Sequence, residues 1–362
     1  MNLLLFRLNL RRALNPGYGL LLIAIAIVVI VSRTTGTELS ASAEQPSAQL
    51  MRGFLRADVI FALLIVLAPL LLIRVAGTFK RIDSYERHWL LPRQLSRSSL
   101  AISYWAGQSA GALTWILAIF ILVEAAAGGA GDSLQFAGRA KLLDAHAIDQ
   151  AGSLGWRTTT DERPAGSVVR FNLGIFGEYD EVERFEISSH TSPQAEAFSS
   201  ASASPMMHTS LEVQVPSGGG EIYFEFRAHG ATHPLTLHDT ELHLFVPCDE
   251  RSGTFQFLLR VALTLAATIS LALCLGAWLQ PPSLILLIFG GYSLIWIEEA
   301  IFSQWTFAKW LPGYDLPSSL QLLSQGRSAG AVPLETWLGM GVFVLAGLTL
   351  FRFGLGRWRK GA

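Results

Sequence analysis

Charged residues are scarce in this sequence. Of its 362 residues, 15% are charged and 51% are apolar, whereas a soluble domain usually carries about 25% charged residues. This composition excludes an ordinary soluble enzyme and a disordered chain. The 27 basic and 28 acidic residues nearly balance, which argues against a nucleic-acid-binding protein because such a protein carries a basic patch.

Cysteine and lysine are also scarce. Cys248 lies in a polar stretch and Cys274 in an apolar run, so we expect no disulfide between them. None of the four lysines follows a glycine, so the chain lacks a Walker-type phosphate loop. We therefore expect no enzyme activity and no cofactor in this chain, and any ATP and Mg²⁺ that its work requires would be bound by a partner ATPase.

The sequence contains several long apolar runs. A helix needs about 20 apolar residues to cross a bilayer, and runs of about that length predict an α-helical polytopic membrane protein with six spans. The first run follows a basic leader and also has the features of a secretory signal peptide, although we favour an uncleaved span. The predicted spans are 18–32, 57–76, 100–126, 254–279, 284–302 and 334–351.

The distribution of basic residues predicts the orientation. If the N-terminus is cytoplasmic, the segments on that side carry thirteen lysines and arginines, and the two short outside loops carry five. Positive charge concentrates on the cytoplasmic side of membrane proteins. We therefore expect both termini in the cytoplasm. Pro281 and Pro282 cannot continue a helix, so we also expect a hairpin at 280–283 between the fourth and fifth spans.

A polar segment of about 125 residues separates the third and fourth spans. Residues 128–251 contain 18 acidic and 8 basic residues, and alternation of apolar and polar residues predicts strands within it. We expect an extracytoplasmic β-sandwich of jelly-roll type, with an immunoglobulin-like sandwich as the alternative, a short helix at 141–150 and a mobile loop at 188–205. The strands are predicted at 167–172, 211–215, 221–226 and 241–246.

These patterns divide the chain into three parts. The first, 1–127, holds the leader, three spans and a coupling loop at 77–99. The second, 128–252, is the β-domain, and the third, 253–362, holds the last three spans.

Two further motifs are typical of a catalytic site or a metal site but lack the structure or the spacing that such a site requires. Gly107-Gln108-Ser109-Ala110-Gly111 matches the Gly-x-Ser-x-Gly pattern of serine hydrolases, but that reaction requires a strand-to-helix turn. Within a helical run, Gly107 and Gly111 instead favour close helix packing.

The histidines of the β-domain could bind copper or zinc, yet their spacing matches no tight zinc pattern, and we favour surface histidines without a metal. The cluster consists of His208, His229, His233, His238 and His243.

Glu298 and Glu299 are adjacent acids near the end of the fifth predicted span. Acidic residues within a span are costly and are usually functional. We assign them a gating or structural role inside the helix bundle, with interfacial exposure or pairing with a base as the alternative.

The coupling loop (77–99) is basic and too long for a simple turn. Residues 83–91 can form a short helix with aromatic residues among charges, and Ser96 can cap the third span. Such a helix is suited to dock a cytoplasmic partner. The alternative is a helix on the lipid surface, held by anionic headgroups.

The membrane part resembles a permease subunit of the type-2 ATP-binding-cassette exporter family. The resemblance consists of the six-span layout with an amphipathic leader (3–14), an outside re-entrant stretch (305–333) and the coupling-loop motif. That motif is Glu-Arg, Leu-Leu, Pro and Ser-Arg, found here as Glu86-Arg87, Leu90-Leu91, Pro92 and Ser96-Arg97. The chain departs from the family at His88-Trp89, which replaces Gly-Thr, and in its large outside domain.

The resemblance implies a dimer of permeases, identical or paralogous, each docking a cytoplasmic ATPase. The residues implied to engage the ATPase are Glu86, Arg87, Trp89, Arg93 and Arg97. Two other hypotheses remain at this point. The chain could be an assembly or mechanotransmission protein whose β-domain binds a periplasmic protein or glycan, or a sensor that handles metal through its histidines.

Overall fold

In the structure, a computed structural model, the chain forms two compact units. A helical unit comprises residues 1–130 and 254–362, and a β-unit comprises residues 131–253. The residues described are 1–39, 48–82, 96–127, 132–139, 141–145, 153–176, 183–192, 194–204, 208–230, 236–276, 278–301 and 310–360.

The helices begin and end close to the predicted apolar runs. Pro281 and Pro282 form the start of a helix rather than the turn before it, which agrees with the preference of proline for the first helical turn. The helices are α1 (Leu3–Ala13), α2 (Pro16–Leu39), α3 (Ala48–Ala76), α4 (Thr78–Arg81), α5 (Arg97–Ala127), α6 (Glu250–Leu275), α7 (Pro281–Ile301), α8 (Leu316–Ser324) and α9 (Leu334–Lys360).

Among the described residues, five helical segments are long and apolar enough to cross a membrane. The first joins α1 and α2, and the predicted fifth span coincides with α7, whose apolar part in the described residues, Pro281–Gly291, is shorter. The chain is therefore a membrane protein by the length and composition of its helices. The five segments are Leu3–Ser32, Arg52–Ala76, Arg97–Ala125, Glu250–Leu275 and Leu334–Leu355.

Helix α3 lies at the centre of the apolar core of the helical unit. Its residues Val59, Ile60 and Leu63 are fully buried and pack with apolar residues of α5 and α6 in one cluster. Phe61 and Ile65, on the opposite side of the helix, are more than half exposed. One stripe of α3 thus contacts protein, while the other presents apolar side chains that a bilayer can solvate.

The leader helix α1 packs directly on α5. Its residues Leu5, Asn9 and Ala13 are buried, and Asn9 and Ala13 lie against Gly107 and Gly111. A Cβ atom on Gly107 would lie 2.6 Å from the Cβ of Asn9, and one on Gly111 would overlap the Cβ of Ala13. The prediction that these glycines allow close helix packing is confirmed.

The β-unit is a sandwich of two antiparallel sheets. One sheet contains the order β1-β9-β4-β7, and the other has the order β2-β3-β8-β5-β6. Apart from β2, this interleaving is the strand order of a jelly roll. The strands are β1 (Asp132–Arg139), β2 (Lys141–Ala145), β3 (Ser153–Arg163), β4 (Val168–Phe176), β5 (Arg184–His190), β6 (Ser199–Ala203), β7 (His208–Gln214), β8 (Gly218–His229) and β9 (Thr236–Asp249); β10 (Arg327–Ser328) belongs to the helical unit.

Aromatic and branched side chains from both sheets form the core of the β-unit. Phe171 of β4 meets Phe224 of β8 edge-to-face, with ring centroids 4.9 Å apart. Phe185 of β5 stacks on Phe226 of β8 at 5.4 Å. These contacts pair residues at alternate positions of their strands, which is why the period-two pattern identified β4, β7, β8 and β9 correctly.

Two local predictions in the β-unit are wrong. Residues 141–145 form strand β2 rather than the start of a helix, because they pair with Thr159–Trp156 of β3. The segment 188–205 contains strand β6, which pairs with β5 from Phe185 to Ser189. Its small serines and alanines lack a strand signature, and the pairing with β5 determines its conformation.

We expect Gly111→Ala to destabilise the helical unit by about 1–3 kcal/mol, since the added methyl group overlaps Ala13. The thermal unfolding of the purified chain in detergent measures this. Gly341→Ala in α9 is the matched control, because a Cβ there meets nothing within 4 Å. Equal unfolding temperatures for the two variants would contradict the packing described for α1.

Candidate functional site

The coupling loop is the site that the sequence singled out, and its central part lies outside the described residues. Glu86, Arg87, Trp89 and Arg93 fall there, as does the predicted helix at 83–91. Arg97 is described and is the first residue of α5. The structure therefore bears on the two flanks of this loop.

The flank that leads into α5 is a capped helix start. The backbone N–H of Ser99 donates to Oγ of Ser96 at 3.1 Å, which satisfies one of the four N–H groups that lack a partner at a helix N-terminus. The predicted role of Ser96 as a cap is confirmed. The chain thus passes from the loop into the first turn of α5 with a fixed backbone.

The other flank closes the end of α3. Helix α4 follows one residue after α3, and the Arg81 guanidinium folds back to donate to the carbonyl of Arg74 at 3.0 Å and to Oγ1 of Thr78 at 2.9 Å. A cation that binds the last carbonyls of a helix also interacts favourably with the helix dipole. Both ends of the loop are therefore anchored on long helices.

Polar contacts fix α1 along the first half of α5. The Asn2 N–H donates to Oγ of Ser103 at 2.7 Å, and the Gln108 amide donates to Oδ1 of Asn9 at 3.4 Å. The Trp115 indole N–H donates to the Ala13 carbonyl at 2.9 Å. With contacts at its start, middle and end, α1 is held against α5 from Ser103 to Trp115.

A buried ion pair joins α3 to α5 at the opposite end of these helices. Arg56 is 2% exposed, and its guanidinium donates to both carboxylate oxygens of Glu124, at 3.3 and 3.4 Å. The two-point geometry suits a guanidinium and a carboxylate. Burial makes the pair costly to break, since either charge alone would lack solvation.

Arg260 is a second buried charge, on α6. Its side chain is 3% exposed, and its Nε donates to Asp315 at 2.7 Å. The remaining N–H groups donate to the carbonyls of Gly330 at 2.9 Å, Ala331 at 3.0 Å and Ala329 at 3.3 Å. One guanidinium thus holds both ends of the segment that contains α8 and precedes α9.

The segment 310–333 is also packed closely on its neighbours. A Cβ on Gly53 of α3 would overlap the backbone of Gly326, and one on Gly339 of α9 would overlap the carbonyl of Trp310. Leu323 of α8 is buried in the apolar core. This segment therefore forms part of the helical unit rather than an exposed loop.

The remaining sequence-predicted positions are the acidic pair of the fifth span, the serine of the Gly-x-Ser-x-Gly match and the histidine outside the β-domain. Glu298 and Glu299 lie in α7, and their side chains are outside the part of the structure that is described. The Ser109 hydroxyl is buried without a hydrogen-bond partner among the described residues. Outside 128–251 the sequence has one histidine, His88, and it too is outside the described residues.

The outer face of β5 and β8 carries hydrogen-bonded charged pairs. His229 contacts Glu186 at 2.8 Å, and Arg227 contacts Glu225 at 2.9 Å. The hydrogen bonds that Arg227 donates to Glu225 are the main cause that raises the pKa of Arg227. Within the described residues, no group of three or more His, Cys, Asp or Glu side chains could hold a metal ion.

Cys248 of β9 is a free, half-buried thiol. Burial raises its pKa above the ordinary value; a hydrogen bond with Ser133 opposes this, and the nearby charges of Asp249 and Glu250 reinforce it. The thiolate is the form that binds metals and reacts. We therefore expect Cys248 to carry little thiolate near neutral pH.

Sequence reasoning missed Arg260 and gave little weight to Arg56. Arg260 interrupts the apolar run 254–279, and a lone charge within a span is the signal that could have identified it. Arg56 was counted with the outside loops. Arg56 lies in α3 four residues, about one helical turn, before the buried Ile60. It therefore belongs to the buried face of the helix.

Comparison with known proteins finds no relative: no family model, no curated protein and no solved structure matches this chain. The class of protein therefore follows from the structure itself. The chain is a membrane protein with several long apolar helices and a separate β-sandwich unit.

We expect Arg260→Gln to destabilise the helical unit by about 3–5 kcal/mol, because it leaves Asp315 without its buried cation. Amide hydrogen exchange should also accelerate in 325–331. Arg227→Gln is the control: its side chain is 57% exposed, and loss of a surface pair costs about 0–1 kcal/mol. Unchanged exchange in 325–331 would contradict the role assigned to Arg260.

We expect Cys248 to react with iodoacetamide more slowly at pH 8 than a free cysteine does, and its rate to rise only above about pH 8.5, the ordinary thiol pKa. The raised pKa shifts the appearance of thiolate to higher pH. A Cys274→Ser background leaves Cys248 as the single thiol, and mass spectrometry follows its labelling. Denatured chain should react at the ordinary rate, and fast labelling of the folded chain at pH 7 would contradict the prediction.

Proposed function

We propose that the chain is the permease subunit of an ATP-driven transporter of the type-2 ATP-binding-cassette kind. In this proposal it couples ATP hydrolysis by a separate cytoplasmic ATPase to export, or to force transmission, across a bacterial inner membrane. The observation that carries the proposal is the fixation of α1 on the half of α5 that begins at the coupling loop. A displacement of that loop would move two helices together.

Anchored flanks are what a coupling element requires. Ser96 caps α5, and Arg81 binds the end of α3, so the loop connects two long helices whose ends are held by hydrogen bonds. If the ends of the loop were not fixed, a displacement by a partner would deform the loop and would not move the helices. The proposed contact residues Glu86, Arg87, Trp89, Arg93 and Arg97 occupy this loop and the start of α5.

The segment 310–333 supports the same proposal from the other end of the helices. A short helix followed by a return to the bundle is the arrangement expected of the re-entrant stretch in that family. Arg260 connects this segment to α6 through side-chain and carbonyl contacts. Rearrangement of α6 would therefore be accompanied by movement of the segment.

Orientation and stoichiometry complete the proposal. Both termini and the coupling loop are cytoplasmic, six helices span the membrane, and the β-domain (128–252) is extracytoplasmic. Two permeases, identical or paralogous, pair within the bilayer, and each docks one ATPase that binds ATP and Mg²⁺. Glu298 and Glu299 then lie near the outward end of the fifth span and act in gating.

We expect Arg87→Ala/Arg93→Ala to abolish co-purification of the ATPase while the chain still inserts in the membrane. The measurement is mild-detergent purification of the tagged chain from its native membrane, followed by mass spectrometry for a stoichiometric protein with a Walker loop. Arg184→Ala/Arg251→Ala, which removes two exposed charges from the β-unit, is the matched control. Undiminished co-purification with the first variant would refute the docking assignment.

A second candidate function is supported by the independent core of the β-unit. Eleven buried apolar residues form a cluster of their own, so this unit has the packing of a self-standing binding domain. The alternative is an assembly or mechanotransmission protein whose β-domain binds a periplasmic protein or glycan. Recovery of such a protein in the purification, with no Walker-loop protein, would favour it.

A further inference from the structure

The outer face of the sheet β2-β3-β8-β5-β6 carries its side chains in rows that cross the strands. Residues directly opposite one another on paired strands lie side by side on one face of a sheet. One such row consists of Gly155 of β3, Glu225 of β8, Ser188 of β5 and Ser200 of β6. Because three of these residues are a glycine and two serines, the row forms the floor of a groove.

Larger side chains form the two walls of this groove. One wall contains Arg227 of β8 opposite Glu186 of β5, and the other contains Tyr223 of β8 opposite His190 of β5. Phe198 extends the second wall, since its N–H donates to a β5 carbonyl at 2.7 Å. Each wall lies two residues from the floor, so the walls are about 13 Å apart, and the floor is about 14 Å long across its four strands.

Hydrogen bonds fix two rings of the second wall. Nδ1 of His190 donates to the Ala195 carbonyl at 2.9 Å, so Nε2 of the neutral ring accepts from the Ser188 hydroxyl at 2.8 Å. The Tyr223 hydroxyl donates to Glu221 at 2.7 Å. A ligand that packs on these rings therefore loses little affinity to the ordering of side chains.

The floor of the groove carries one carboxylate, that of Glu225. It accepts two hydrogen bonds from Arg227, each at 2.9 Å, and it lies 3.9 Å from Nε2 of His190. A carboxylate has about four acceptor positions, and the Glu225 side chain is 31% exposed, so it can also accept hydrogen bonds from a ligand. Its negative charge disfavours an anionic ligand.

Aromatic rings beside polar groups indicate the kind of ligand. At 54% exposure, Phe198 is the most exposed large apolar side chain in the described part of the β-unit. A pyranose ring has apolar C–H faces that pack on aromatic rings, and hydroxyl groups at its edge that donate to a carboxylate. A β-1,4-linked chain of such rings is extended, as a groove that crosses several strands requires.

We propose that this groove binds a neutral, β-1,4-linked oligosaccharide. The sugar rings pack on Phe198, Tyr223 and His190, and Glu225 accepts hydrogen bonds from their hydroxyl groups. The proposal rests on the second candidate function, in which the β-domain binds a glycan, and it gives that function a site and a class of ligand. It does not depend on the permease assignment.

Isothermal titration calorimetry of the full chain with cellotetraose and with chitotetraose tests the proposal. The chain is held in lipid nanodiscs, because detergents with sugar headgroups would compete for the groove. We expect saturable binding of at least one of the two, with a Kd of about 1 mM or lower. Phe198→Ala should weaken binding about fivefold through loss of an aromatic contact, and Glu225→Gln about tenfold through loss of an ionised acceptor.

Glu212→Gln is the matched control for Glu225→Gln. Glu212 also accepts a hydrogen bond from an arginine, Arg170, at 2.7 Å, but it lies on β7 in the other sheet. This variant should bind the oligosaccharide as the unaltered chain does. Thermal unfolding of each variant verifies that it is folded, and the exposed position of Phe198 keeps Phe198→Ala usable if Glu225→Gln is not.

Two results would overturn the site. The first is the absence of saturable binding with both oligosaccharides, a result that leaves the co-purification of an ATPase as a separate question. The second is an unchanged oligosaccharide affinity in folded Phe198→Ala and Glu225→Gln. If those variants instead reduce the recovery of a periplasmic protein with the tagged chain, the groove is a protein-binding surface and the glycan assignment is wrong.

Discussion

Direct contact between α1 and α5 at Gly107 and Gly111 is the constraint on which the arrangement of the helical unit depends. Two glycines one turn apart leave no side chain between the helices, so Asn9 and Ala13 lie against the α5 backbone. That proximity brings the Gln108 amide within reach of Asn9 and the Trp115 indole within reach of the Ala13 carbonyl. The leader helix therefore belongs to the bundle and cannot act as a detached surface helix.

Two buried arginines determine how the rest of the helical unit is held. Arg56 binds Glu124 on a neighbouring helix, whereas Arg260 binds one carboxylate and several backbone carbonyls. In both cases burial removes water, and the remaining contacts must solvate the charge. Arg260 has the larger structural consequence, because its partners lie at both ends of the segment around α8. A side chain that satisfies so many carbonyls holds an irregular backbone in place where a helix would satisfy its own.

The β-unit is stabilised by a different interaction, the packing of aromatic rings between two sheets. Phe171 and Phe224 meet from opposite sheets, and Phe185 and Phe226 stack within one sheet. Hydrogen-bonded charged pairs such as His229 with Glu186 lie on the outer face of β5 and β8. This surface offers charge and hydrogen bonding to a partner, but within the described residues it groups too few ligands to hold a metal.

The sequence by itself determined which parts of the chain are apolar helices and which form a β-sandwich, because hydrophobic periodicity is a local property. It also identified Ser96 as a cap and Gly107 and Gly111 as positions of close helix packing, since both are local patterns, but it did not indicate that α1 is the helix that packs there. Tertiary structure alone decided that 141–145 is a strand and that Arg260 binds 329–331. Each of these depends on a partner distant in sequence, and a charge in an apolar run does not indicate which distant carbonyl or carboxylate will solvate it.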